Sequence, residues 1–264
     1  LSSSSAASDV YKRQVVIIIL LAGFAGLRTR CNDTVTYRYS YKLLTEKLWE
    51  ASDKSIGSNP LFNWVNYRLK MHGVSTQNFL MFWAFLTVGC YFIFVHKYSV
   101  NYPLTIFLLF VTGCYTFAFA GIKQAAAVGI SVIATMFALK KKWLLFAVGI
   151  LIATLIHPYS LMYLAVPFMT FKPWTKITYW MLAAFIAAGF LLRPLLGTVV
   201  NITTLLGEEY TVSSFTGDGV NMFRVLVCNV PMVLSFLYRK KLFADSSEAE
   251  NLAMNLTMLN GAIM

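Results

Sequence analysis

The chain has 264 residues, 58% of them hydrophobic and 12% charged, at a mean hydropathy of +0.64. That is too apolar for an ordinary soluble domain, in which about one quarter of residues are charged. The net charge of +11 does not indicate nucleic acid, because the basic residues punctuate the ends of apolar runs instead of forming one face with interleaved aromatics.

Leu1 to Gln14 (LSSSSAASDVYKRQ) lacks an initiating Met and shifts abruptly into Val15-Val16-Ile17-Ile18-Ile19. It reads as a non-native or artefactual segment. A signal peptide is the rival reading, but no small-residue cleavage site follows the apolar run. Residues 15–264 read as a single transmembrane domain, cut short at both ends because the chain also stops inside an apolar stretch. Apolar runs at 15–27, 79–95, 103–120, 124–139, 143–157, 159–171, 177–192 and 223–238 approach or reach the roughly 20 residues that cross a bilayer. A ninth begins near Asn251. The expected fold is all-α, a polytopic bundle of eight or nine membrane helices, with 159–171 either spanning or re-entrant.

Between the first two runs, short interfacial helices are expected. Tyr41 to Lys54 places Tyr41, Leu44 and Leu48 on one stripe. Asn59-Pro60 reads as an N-cap followed by a first-turn proline, after which Phe62, Val65 and Leu69 line one face. Both suit helices lying on the membrane or packed over the bundle. The loop 207–222, with Gly207, Glu208, Glu209, Gly217, Asp218 and Gly219, reads as a structural turn or a mobile lid.

Lys97, Lys140 to Lys142, Lys172, Lys176 and Arg239 to Lys241 are nine basic residues in short connections without an acid among them. The positive-inside rule makes those connections cytoplasmic. Alternation then puts 28–78, 121–123, 157–158 and 193–222 outside. Several basic residues flank helices on that translocated side, against the bias. Lys42, Lys47 and Lys54 sit among acids and read as their partners. Arg28, Arg30, Lys123, Arg193 and Arg224 stand at helix ends, where an anionic ligand is the alternative to lipid headgroups.

The richest stretch is 121–158. Gly121-Ile122-Lys123-Gln124 opens one apolar helix, Lys140-Lys141-Lys142 closes it, and the next ends at His157-Pro158. Ionisable groups beside hydrocarbon are costly, and membrane proteins that keep them usually use them. Cys90, Cys114 and Cys228 lie in apolar runs and Cys31 stands alone. No C-x-x-C, no histidine spacing for a metal, no P-loop, no dinucleotide fingerprint and no G-x-S-x-G occurs, so neither a metal nor a cofactor is expected.

Gly26-Leu27-Arg28 with Asp33-Thr34 and Tyr37, then Asn59-Pro60-Leu61-Phe62, Gly121-Ile122-Lys123-Gln124-Ala125, and Leu155-Ile156-His157-Pro158 form an ordered set over 20–171. This set resembles the EpsG family of polysaccharide-biosynthesis membrane proteins, which are similar in turn to Wzy-type polymerases. The resemblance implies an enzyme of the bacterial inner membrane that joins undecaprenyl-diphosphate-linked oligosaccharide repeat units at the outer leaflet. It also implies membrane lipid as its surroundings, and flippase and chain-length regulator proteins as partners. His157 or Asp33 would serve as base or orienting group, each with a capping role as alternative. Arg28, Lys123, Gln124, Arg193 and Arg224 would bind substrate. The family usually has Arg where this chain has Lys123, and an ammonium lacks the planar two-point contact with phosphate. Two other readings stay open. A metal-dependent glycosyltransferase using polyprenyl-phosphate sugars would rely on Asp33 and Glu208-Glu209. A transporter of lipid-linked sugar would want ionisable groups mid-membrane, where this chain has none.

Overall fold

A computed structural model describes residues 2–44, 59–205 and 222–263; they are helical, with no strand among them. The chain divides into two compact units, Leu1–Leu161 and Met162–Met264.

The first unit contains α1 (Ser2–Gly26), α2 (Thr34–Leu43), α3 (Pro60–Met71), α4 (Thr76–Tyr98), α5 (Tyr102–Val111), α6 (Cys114–Ala120), α7 (Ile122–Leu139) and α8 (Trp143–Ile156). Local chemistry sets the boundaries. The Asn78 backbone N–H donates to the Ser75 hydroxyl at the start of α4, and the Leu104 N–H to the Asn101 side chain at the start of α5. The apolar run 103–120, expected as one helix, bends by 46° between α5 and α6. The hinge is Gly113, whose φ of +79° suits a residue without Cβ.

Helix α4 is the axis of this unit. α1 runs antiparallel to it: Gln77 donates to the Gly26 carbonyl at one end, and His96 pairs with Gln14 at 2.9 Å near the other. Helix α7 runs parallel to α4, with Ile122, Ala126 and Ala127 packed on Phe79, Leu80 and Trp83, and Gly129 further along beside Thr87 and Cys90. Helix α8 returns along α7 through the triple-lysine turn. There the Lys142 N–H donates to the Phe137 carbonyl and the Lys141 N–H to that of Ala138, a Schellman closure with Lys141 at φ +58° where glycine is usual. Lys97 and Lys140 to Lys142 thus share one end of the unit. The ends of α1, α6 and α8 and the starts of α4 and α7 share the other.

The two interfacial helices pack into that second end. Phe62 is buried, with Val65 and Leu69 against the same cluster, as the sequence pattern requires. The other stripe differs from expectation. Its helix starts earlier, at Thr34, and stops at Leu43, so Tyr41 lies near its end and stacks on Phe79 at 4.3 Å. Tyr41 donates to the Val74 carbonyl, and burial pushes its hydroxyl pKa up. Leu48 and Lys54 lie outside the described residues, as does the loop from Gly207 to Asn221 with Glu208 and Glu209.

The second unit holds α9 (Lys176–Leu205), α10 (Met222–Leu237), a turn at Arg239–Leu242 and α11 (Glu248–Ile263). Two expectations are corrected in this part of the chain. The run 159–171, expected to span or re-enter the membrane, is not α-helical: Pro158–Met169 forms a 3-10 segment containing Pro167, which has no N–H for an α-helical ladder. Helix α9 continues past its expected end at 192 into the stretch assigned to the outer loop 193–222, bending by 80° between Leu191 and Pro194. Asn255, fully buried on α11, donates to the Met169 and Phe171 carbonyls at 2.8 Å. Lys172 donates to the Ala244 carbonyl, bringing the 172–175 connection to the basic turn.

Among the described residues, α4 and α7 are long and apolar enough to cross a membrane; up to four spans result if each of two bent pairs counts as one. That measure does not reach the eight or nine expected from apolar runs. Helix α8, with 14 residues, rises only about 21 Å at 1.5 Å per residue, short of a hydrocarbon core of about 30 Å.

Candidate functional site

The end of the first unit opposite the lysine turn collects Arg28, Asp33, Lys123, Gln124 and His157. Arg28 lies two residues beyond α1. The chain then turns through Cys31 and Asn32, both at positive φ (120° and 39°), a conformation that side chains other than glycine adopt at a cost of about 1 kcal/mol or more. This turn folds Thr34 back beneath Arg28. Arg28 Nε donates to Thr34 Oγ1 at 2.9 Å, one terminal nitrogen donates to the Ala25 carbonyl, and the guanidinium lies 5.5 Å from the centre of the Phe119 ring. Thr34 is fully buried, and its hydroxyl also donates to the Phe119 carbonyl, 3.5 Å away.

Burial lowers the Arg28 pKa from its ordinary value, with Cys31, Tyr115 and Tyr37 opposing the shift. A guanidinium so perturbed remains charged. Among the described residues, no carboxylate pairs with it. Asp33 is exposed and occupies the N-cap position of α2, yet its side chain makes no capping bond.

Four residues after Phe119, Lys123 lies in the first turn of α7, half-buried beside the buried Ile122. A cation there faces the positive end of the helix dipole, an arrangement that costs about 0.3–1 kcal/mol unless negative charge is nearby. Gln124 follows, with its side-chain oxygen buried and lacking a hydrogen-bond partner among the described residues. The side chain folds over Gly121, where an added Cβ would meet that oxygen at 2.5 Å.

His157 ends α8. Its backbone N–H donates to the Ala153 carbonyl, and its own carbonyl accepts from the Ser160 N–H. The position is thus a C-cap, but the side chain is not spread on the surface: it is only 5% exposed. Its Nδ1 lies 3.4 Å from Asn59 Oδ1, and the ring meets Tyr159 edge to face at 5.0 Å. Asn59 is buried too. It stands at the N-cap of α3 without capping it.

Arg28, Thr34 and Phe119 are joined by direct contacts. Lys123 and His157 each follow a residue, Ile122 and Ile156, of the cluster that also contains Phe62 of α3. Asp33, Lys123, Gln124, His157 and Arg28 therefore occupy one end of one unit. Arg193 and Arg224 lie in α9 and α10 of the other unit, and their side chains fall outside the described residues. Sequence reasoning overlooked Thr34 and Asn59 as partners of Arg28 and His157. Asn-Pro has a ready local explanation as a helix start, and nothing in a linear pattern turns that amide toward a residue 98 positions away. Among the described residues no cluster of three His, Cys, Asp or Glu side chains could hold a metal.

A family model described as the EpsG family matches residues 14–264, nearly the whole chain. No curated protein and no solved structure matches. With long apolar helices among the described residues and the motif residues gathered at one end of the first unit, the chain belongs to the EpsG family of Wzy-like polymerases and is a multi-pass membrane protein of exopolysaccharide-polymerase type.

Proposed function

We propose that the protein joins lipid-linked oligosaccharide repeat units at the outer face of the bacterial inner membrane. The growing glycan leaves an undecaprenyl diphosphate and is transferred to a sugar hydroxyl of the next unit. In this step the bond from the anomeric carbon to the diphosphate oxygen breaks, and the leaving group keeps the electron pair. A new bond forms from that carbon to the acceptor oxygen, whose proton passes to His157 or Asp33. The observation that carries the reading is Arg28: a half-buried guanidinium held by a hydroxyl, a carbonyl and an aromatic face, without a carboxylate among the described residues. A desolvated cation so placed is stabilised by an anion, and preorganised cations stabilise a departing diphosphate more than its bound precursor. Lys123, set against its helix dipole, gains from the same charge. Gln124 would bind substrate through its buried carbonyl oxygen. The lysine turn at the opposite end supports the orientation, since connections rich in Lys and Arg stay in the cytoplasm.

The test is complementation of a strain lacking its own polymerase. Arg28→Ala should abolish polymer while single lipid-linked repeat units still accumulate. Lys123→Ala should be severely impaired and Lys123→Arg tolerated. Normal chain lengths in both Ala variants would overturn the diphosphate-binding role and leave these cations as headgroup contacts.

A further inference from the structure

We infer that Asn59 is a positioning residue for His157: its side-chain carbonyl accepts from Nδ1–H, holding the neutral imidazole as the Nδ1-protonated tautomer with the lone pair on Nε2. The inference rests on the reading of His157 as the base of the transfer. Three observations carry it.

The first is the contact itself, 3.4 Å between Nδ1 and Oδ1, with His157 5% and Asn59 7% exposed. Hydrogen bonds of catalytic groups are often long without substrate and tighten when it binds. The second is what Asn59 does not do. Asparagine is among the best N-cap residues, and this one occupies the N-cap of α3 with Pro60 behind it, yet it makes no side-chain bond to its own helix. Its side-chain oxygen instead meets a residue on another helix, His157. The third is the rigidity of the imidazole. Its backbone is tied at both sides, by the bond to Ala153 and the bond from Ser160, and Tyr159 meets the ring edge to face. Asn59 and His157 also flank a shared apolar cluster, Phe62 of α3 and Ile156 of α8, so packing fixes their separation.

The consequence is chemical. A neutral imidazole has one donor and one acceptor nitrogen, and the bond made by one decides the role of the other. With Nδ1–H committed to Asn59, Nε2 is the atom that can take a proton from an acceptor hydroxyl.

The chain has three histidines, His72, His96 and His157, so a His72→Gln, His96→Gln background leaves a single ring to observe. Full-length protein labelled with ring-¹⁵N histidine, purified in detergent with a histidine-free tag, reports the tautomer through its nitrogen shifts and two-bond couplings. The Nδ1–H form should predominate with Asn59. It should give way to Nε2–H in Asn59→Ala and return in Asn59→Asp, which keeps an acceptor. Predominance of Nε2–H with Asn59 in place, or no change in Asn59→Ala, overturns the inference. If Asn59→Ala does not fold, the parent protein and Asn59→Asp decide between the same outcomes. In cells, Asn59→Ala should cut polymer yield on the order of 10²-fold, the lower range of what a positioned base contributes, with partial recovery in Asn59→Asp. A changed tautomer with full polymer yield overturns the positioning role. Full yield in His157→Gln instead removes the reading of His157 as the base, a failure distinct from any result of the spectroscopy.

Discussion

Replacing Thr34 with valine is the sharpest probe of how Arg28 is held. The substitution keeps the volume of a fully buried side chain and deletes one oxygen, so it opens no cavity. It removes the acceptor for Arg28 Nε, 2.9 Å away, and the longer bond to the Phe119 carbonyl. An unsatisfied buried group costs about 1–3 kcal/mol, more when charged. Arg28 is half-buried, so water recovers part of this, and about 1.5 kcal/mol is the expected loss. If it falls on the step in which Arg28 meets the diphosphate, it corresponds to roughly tenfold in rate. Thr34→Ser keeps the oxygen and should stay close to the parent. The assay is the ladder of lipid-linked chain lengths on gels, read beside the thermal melting of each purified variant. A Thr34→Val ladder equal to that of the parent, in cells where Arg28→Ala makes no polymer, would refute the argument. So would a loss of activity shared equally by Thr34→Ser.

The close approach of α1 to α4 is tested by Gly26→Ala. The new Cβ would lie 2.5 Å from Met81 Sδ and 2.9 Å from Met81 Cα, so the helices must separate and stability should fall by about 1–3 kcal/mol, visible as lowered thermal melting in detergent; an unchanged melt would contradict the packing. Orientation is tested with single-cysteine variants. Native Cys31 is exposed at the Arg28 end and should react with an impermeant thiol reagent in intact cells, whereas Lys141→Cys should react only after permeabilisation; the reverse pattern would invert the topology and move the proposed site to the other face.

Much of the molecule is legible from sequence because its strongest signals are local. Apolar runs locate α4, α7 and α8 to within a few residues, and Asn59-Pro60 marks the start of α3. Three consecutive lysines announce the turn that closes the α7–α8 hairpin. The same locality explains the misjudged elements. An apolar run predicts burial in hydrocarbon but not the backbone within it, so Gly113 bends one helix, Pro194 bends another, and Pro167 sits in a 3-10 segment where a membrane helix was expected. The candidate site divides along the same line. Charge at helix ends, costly beside hydrocarbon, singled out Arg28, Lys123 and His157 before any coordinates. Only the tertiary structure supplied their neighbours, because a hydrogen bond from Thr34 to a carbonyl 85 positions away, or from His157 to an amide 98 positions away, depends on how helices pack, and sequence spacing carries no record of that.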